Sequence, residues 1–471
     1  MPVEQPFGTT ACMSESHAPE LTPEDWEMIH AVGRRIAARQ FEAFTAQGLG
    51  CGWCRYPVRI RGVVFADQGQ ERSVRFSTAT LPDGVTLKAC GNRRETRCPA
   101  CAAVYRADAR HLVRAGLVGG KGVSESVATH PAVLLTLTAP SFGAVHASVP
   151  DRPCHPGRSR GPCPHGRAVW CFHRHRADEQ CVGIPLCADC YDYEAAVLHN
   201  AVAPELWRRT TIYVTRHLAA VHGRTQSQMK ALCSLSFCRV AEFQRRGVVH
   251  LHAVIRADGL EGTLPPVSAE ELAEAAGSAA RSVSVPHTRG VARWGKQLDV
   301  QILQRDGDKA ETVARYVAKY ATKSSDDDGT LDGRIVSTED LARRPLPPHT
   351  RRMVETAWTL GADPALESLQ LRQHAHTFGY GGHFLSKSRR YSTSFAALRD
   401  ARASWQESQR HGHEATGDRS LTRRWRALGV GWANPGEASW ARHQQRQQTE
   451  GRRAFDEDRY STTPSETEDM R

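Results

Sequence analysis

The stretch 247–256, GVVHLHAVIR, decides how the rest of the chain is read. A β-strand alternates its faces, so His250 and His252 point one way and Leu251 the other. Two polar residues on a half-exposed strand would account for the pair. So would two imidazole ligands presented side by side to a metal ion. Working outward, a second apolar run precedes it in LCSLSFCRVAEF (232–243), and QRRG (244–247) separates the two. That pattern predicts a hairpin whose second strand carries both histidines. Further upstream, PAVLLTLTAP (131–140) reads as a short buried strand.

Downstream, ETVARYVAKYATKS (311–324) has helical spacing. Tyr316 and Tyr320 are i and i+4 and share a face, as do Lys319 and Lys323. On spacing alone, such an aromatic pair is more often core packing. Glu242, the histidine pair and this Tyr-x-x-Lys-Tyr helix together describe a phosphodiester-cleaving site. Two histidines and a carboxylate hold one divalent cation, Mg²⁺ or Mn²⁺, which polarises a phosphate oxygen. A tyrosine oxygen attacks phosphorus and forms a covalent protein–DNA bond. A neighbouring lysine neutralises the charge that develops.

The bulk properties agree with such a role without requiring it. The chain has 471 residues, enough for two or three domains, and 40% are apolar. No apolar run approaches the roughly 20 residues of a membrane-spanning helix, and residues 1–20 show no secretory pattern. The expectation is a cytoplasmic protein with no membrane partner. Net charge is +11, and 54 of the 62 basic residues are Arg. Codon bias explains most of that skew, although arginine forks also suit phosphate oxygens.

Fourteen cysteines without a signal peptide favour thiolate–metal sites over disulfides. Cys51, Cys54, Cys90, Cys98 and Cys101 offer five candidates for the four places of a tetrahedral zinc site. Cys163, Cys171, Cys187 and Cys190 form the second candidate zinc set, with Cys154, Cys181, His173 and His175 as alternates. Two such sites imply about two structural Zn²⁺ ions. Cys233 and Cys238 stand in an apolar stretch and read as buried thiols.

Three motifs in order, LLTLTAP, VHLHAVI and YVAKYATK, make residues 132–323 resemble the HUH endonuclease superfamily, and within it the rolling-circle replication initiators. CGNRRETRCPACAAVYRADA, PLCADCYDY, EFQRRGVVHLHAVIR and RYVAKYATKS further resemble initiators of actinobacterial plasmids and integrative conjugative elements. The resemblance implies a ferredoxin-like antiparallel sheet with both histidines on a central strand. It makes His250 and His252 metal ligands, Glu242 the third ligand, and Tyr316 and Tyr320 candidate nucleophiles. It favours Cys54, Cys90, Cys98 and Cys101 for zinc, leaving Cys51 spare. The tyrosines follow the histidines here, whereas in conjugative relaxases they precede them. No Gly-x-x-x-x-Gly-Lys-Ser/Thr run is present, so a host helicase, polymerase and single-strand-binding protein are the implied partners at origin DNA. The alternatives are a two-tyrosine HUH transposase and a non-catalytic zinc-containing DNA-binding regulator.

The expected architecture is α+β. A disordered leader (1–24) precedes a helix and zinc module (25–130), with 25–47 as one helix. The endonuclease core (131–325) carries a Cys/His insertion at 150–192. A linker and Arg-rich helical region (326–400) leads to a mostly disordered tail (401–471).

Overall fold

Five strands surround the histidines in an antiparallel sheet. Leu385–Lys387, Ser234–Phe243, Val249–Asp258, Ala132–Leu137 and Leu298–Ile302 lie side by side in that order. The computed structural model describes residues 21–68, 71–157, 161–260, 263–303, 307–322, 331, 333–411 and 420–461. It divides the chain into two compact units, one formed by residues 1–90 with 418–471 and the other by 91–417. The sequence boundaries at 130 and 325 therefore do not coincide with the units. The fold is mixed α and β with antiparallel sheets.

In the larger unit the histidine strand is the middle of the five. Leu251, Ala253 and Ile255 pack with Val133, Leu135 and Leu137 against Leu206, Val214 and Leu218 of the helix Tyr193–Val221 and Leu272 of Ala269–Ser282. On the opposite face Val254, Val240 and Leu134 meet Ala109, Leu112 and Val113 of Pro99–Val118 and Val313, Ala314 and Val317 of Gly307–Tyr320. Burial on both faces explains why Val249–Asp258 reads as a nearly continuous apolar run. The helix Gly307–Tyr320 buries Ala310, Val313, Ala314, Val317 and Ala318, a single stripe at helical spacing. Gly116 is required where Pro99–Val118 crosses Tyr391, because a Cβ there would lie 2.2 Å from the ring. The strand Leu385–Lys387 falls within the region expected to be helical. It is only three residues long and adds at the sheet edge beside Cys238–Val240, too short to show a periodicity.

In the smaller unit Ser420–Val430, Val58–Gln68 and Glu71–Ser77 form an antiparallel sheet, with Thr86–Lys88 paired to Val58–Ile60. The tail is thus not mostly disordered over 420–461: it contributes this strand and the helix Pro435–Ser461. The sequence signal was weak because the strand is rich in Arg and its partner lies more than 350 residues earlier. Its support is tertiary. Trp432 stacks on Trp53 with ring centroids 5.9 Å apart, meets Phe44 edge-on, and donates its indole N–H to the Cys54 carbonyl at 3.1 Å. Arg35, nearly buried, is bonded to Glu437 at 2.7 Å and also to Asp83. The expected helix over 25–47 is likewise two helices, Pro23–Ala37 and Phe41–Gly50. Between them Arg39 takes φ 54°, and the Gln40 N–H closes back on the Arg35 carbonyl at 2.8 Å, so the chain turns while Arg35 stays inside.

Candidate active site

Register builds the site. In the hairpin, Glu242 sits directly opposite His250, and Val240 opposite His252. On the other side Thr136 faces His252. The two imidazoles share a face with ring centroids 4.5 Å apart. Thr138 Oγ1 is 3.2 Å from His250 Nδ1, and Thr136 Oγ1 is 3.3 Å from His252 Nδ1. When each Nδ1–H donates to its threonine hydroxyl, Nε2 keeps its lone pair for a ligand. His252 Nε2 lies 3.4 Å from Glu242 Oε1, and both side chains are shielded, 3% and 11% exposed. One ligand atom from each of Glu242, His250 and His252 falls within 4.8 Å of the others. Two imidazole nitrogens and one carboxylate oxygen in that span fit a single divalent cation with positions left open.

The helix Gly307–Tyr320 sets both tyrosines over this face. Tyr316 presents its hydroxyl 3.5 Å from His252 Nδ1, and its side is open, 37% exposed. Tyr320 stacks on the His252 ring, and the two tyrosine rings meet edge-on at 5.1 Å. Burial pushes the Tyr320 phenol well above its usual range, and its hydrogen bond to Tyr316 and the Glu242 carboxylate add to the rise. Lys319 is exposed on the same helix. Lys323 lies outside the described residues.

The residues that hold this helix end carry no motif in the sequence. The Arg93 guanidinium donates to the Ala321 carbonyl at 3.3 Å and lies 3.9 Å over the Phe384 ring. Arg106 donates to Thr322 Oγ1 at 3.2 Å, and the Glu95 N–H to the Thr322 carbonyl at 3.3 Å. No periodicity marks these residues. The two threonines were legible as alternate positions of LLTLTAP.

The cysteines of the insertion group differently from the expected second set. In the smaller unit Cys54 Sγ accepts the Cys90 N–H at 3.2 Å, and the Cys51 thiol donates to the Gly48 carbonyl. In the larger unit Cys98 immediately precedes the helix Pro99–Val118 and Cys101 lies in its first turn. Within the insertion, Cys163, Cys187 and Cys190 group with His165, so the expected Cys171 is replaced. The reason is local pairing. Cys171 exchanges backbone hydrogen bonds with His155 at 2.8 Å, which carries it to Cys154. Cys163 instead opens a turn in which its N–H donates to the Arg167 carbonyl and Gly166 donates back. Desolvation raises the Cys163 thiol, but hydrogen bonds from the backbone of Arg167 and His165 and from the Cys187 and Cys190 thiols together outweigh it and bring the group down to about 6. Cys233 and Cys238 are buried, and burial pushes their thiols up to about 11 and about 12.

No described helix is long and apolar enough to cross a membrane. No solved structure matches the chain. A replication initiator protein of Streptomyces ambofaciens is 43% identical over 362 residues, which cover 73% of this chain and 75% of that protein. The family described as RepSA, replication initiator protein, pSAM2, matches residues 40–446. With most of its length matched and this identity to a replication initiator, the chain belongs to the RepSA family of replication initiator proteins.

Proposed function

We propose that this initiator nicks one strand of its origin by tyrosine attack, with the HUH arrangement of a rolling-circle enzyme. The observation that carries the reading is the placement of Tyr316 and Tyr320 over the face of the sheet that bears His250, His252 and Glu242. An antiparallel sheet with the histidines on its central strand supports the ferredoxin-like comparison. His250, His252 and Glu242 would hold Mg²⁺ or Mn²⁺, which supplies charge at a phosphate oxygen and lowers the barrier to attack.

The chain's own residues do the rest. Tyr316 is the first nucleophile, because its side chain is partly open to solvent and its hydroxyl, which lies beside His252, can release its proton to water. Its oxygen bonds to phosphorus, the bond from phosphorus to O3′ breaks, and O3′ leaves with a proton. The products are a 5′-phosphotyrosine and a free 3′-OH from which a host polymerase extends. Tyr320, kept protonated by its burial, serves a later cleavage. Lys319, with Lys323, offsets charge on the phosphate. Host helicase and single-strand-binding protein complete the reaction. Cys163, His165, Cys187 and Cys190 would hold a structural zinc ion.

The test is incubation of the full chain with single-stranded origin DNA and Mg²⁺, read on a denaturing gel. The expected product migrates slowly, survives boiling in detergent and disappears on protease digestion. Hydrolytic nicking without a linkage, or no cleavage with either metal, would overturn the reading.

A further inference from the structure

The insertion between residues 144 and 190 contains a second, separate cluster of metal-type side chains. We propose that His146, Cys154, Cys171 and His175 bind a zinc ion of their own, independent of the Cys163 group. One ligand atom from each of the four lies within 4.8 Å of the other three. His146 Nδ1 and His175 Nε2 are 3.1 Å apart, Cys171 Sγ and His175 Nε2 3.4 Å, and Cys154 Sγ and His146 Nδ1 3.9 Å. A tetrahedron with ordinary zinc–sulfur and zinc–nitrogen bonds needs roughly 3.3 Å between nitrogens and about 3.6 Å between nitrogen and sulfur. Two thiolates with two imidazoles in that shape select zinc over the hard cations.

The surroundings are those of a ligand shell. Glu179 Oε2 holds His175 Nδ1 at 2.7 Å. That contact fixes the ring so that Nε2, the atom facing His146 and Cys171, carries the lone pair. The Ala147 N–H donates to Cys154 Sγ at 3.2 Å, as backbone amides do to bound thiolates. The competing trio His173, His175 and Glu179 has no thiolate, and its His173 is largely exposed.

Backbone pairing assembles the four ligands from three segments. Cys154 N–H donates to the His173 carbonyl at 3.0 Å, His155 and Cys171 exchange hydrogen bonds, and His146 pairs with Ile184 and Gly183. These segments have little apolar material, and Phe172 among them is exposed. A segment with so small a core needs a cross-link to hold one shape.

The site also braces the hairpin turn that starts the histidine strand. Glu179, which orients His175, accepts a hydrogen bond from Arg245 through its backbone carbonyl. Gly183 approaches the same residue so closely that a Cβ would lie 2.5 Å from the Arg245 Cβ.

The experiment measures metal in full-length protein by elemental analysis and after exchange into Co²⁺, with no DNA present, so it is independent of whether the protein nicks. Relative to the unaltered chain, the pair Cys154→Ser with Cys171→Ser should lose one equivalent. Cys187→Ser with Cys190→Ser should lose a different one, and the combination two. Cys181→Ser should lose none. His175→Cys should keep its metal while the cobalt–thiolate absorption rises from a two-sulfur to a three-sulfur intensity. That variant decides the matter if the double serine variant does not fold. Unchanged metal content in a folded Cys154→Ser, Cys171→Ser protein, or an unchanged cobalt spectrum in His175→Cys, would overturn the proposal.

Discussion

The Tyr320 ring stacks on the His252 imidazole, with centroids 4.6 Å apart and planes 14° from parallel. Tyr316, one turn earlier, meets the same imidazole edge-on at 5.2 Å and points its hydroxyl at Nδ1. One histidine therefore contacts both tyrosines, but in different ways: the first reaches it by its oxygen, the second by its ring.

That asymmetry predicts unequal variants. Tyr316→Phe should abolish the covalent adduct formed in a single turnover on a short origin oligonucleotide. Tyr320→Phe should retain it and lose only the second cleavage. Mass spectrometry of the DNA-linked peptide checks the assignment, and a phosphate mapped to Tyr320 in the unaltered protein would reverse the order.

Thr136 should behave as an orienting residue. Thr136→Val removes the hydroxyl 3.3 Å from His252 Nδ1 while keeping the side-chain volume. Loss of such a partner costs about 10–100-fold in metal affinity. The expected result is a higher Mn²⁺ requirement for cleavage with maximal rate restored at saturating metal. His252→Ala should not be rescued by any Mn²⁺ concentration.

Stability should fall on mild acidification because of His199. This residue is 2% exposed, is packed between Phe142 and Trp294, and neither ring nitrogen has a hydrogen-bond partner among the described residues. Burial drives its pKa down from 6.5 to about 3. Below pH 6.5 the unfolded chain therefore takes up a proton that the folded chain does not, and stability is lost from there down to about pH 3. At pH 5 this amounts to about 2 kcal/mol. Urea unfolding of His199→Leu should show a pH slope between 7 and 5 that is shallower than the original by that amount. Identical slopes would refute the account.

The C-terminal segment should be needed for the smaller unit to fold. Trp432 is 8% exposed against Trp53 and Phe44. Trp432→Ala should destabilise that unit by about 3–5 kcal/mol, the range for deleting a buried aromatic. Limited proteolysis should then cut within residues 58–88 while the larger unit stays intact. Equal resistance of the variant and the original would contradict this.

What the sequence by itself determined is chemistry of short range. A two-residue period puts His250 and His252 on one face, and a four-residue spacing puts Tyr316 and Tyr320 on another. Both follow from backbone geometry within a few residues. The hairpin was legible for the same reason, through QRRG between two apolar runs. Only the tertiary structure decided which groups meet. Glu242 reaches the histidines because the hairpin register sets it opposite His250, and Thr136 because a strand more than 110 residues earlier pairs with His252. His165 stands where Cys171 was expected because a backbone bridge to His155 draws Cys171 elsewhere. The strand Ser420–Val430 has little apolar periodicity and is ordered by a partner at the other end of the chain. Register and long-range pairing are settled by packing and by hydrogen bonds that close across hundreds of residues, and no local pattern of side chains encodes them.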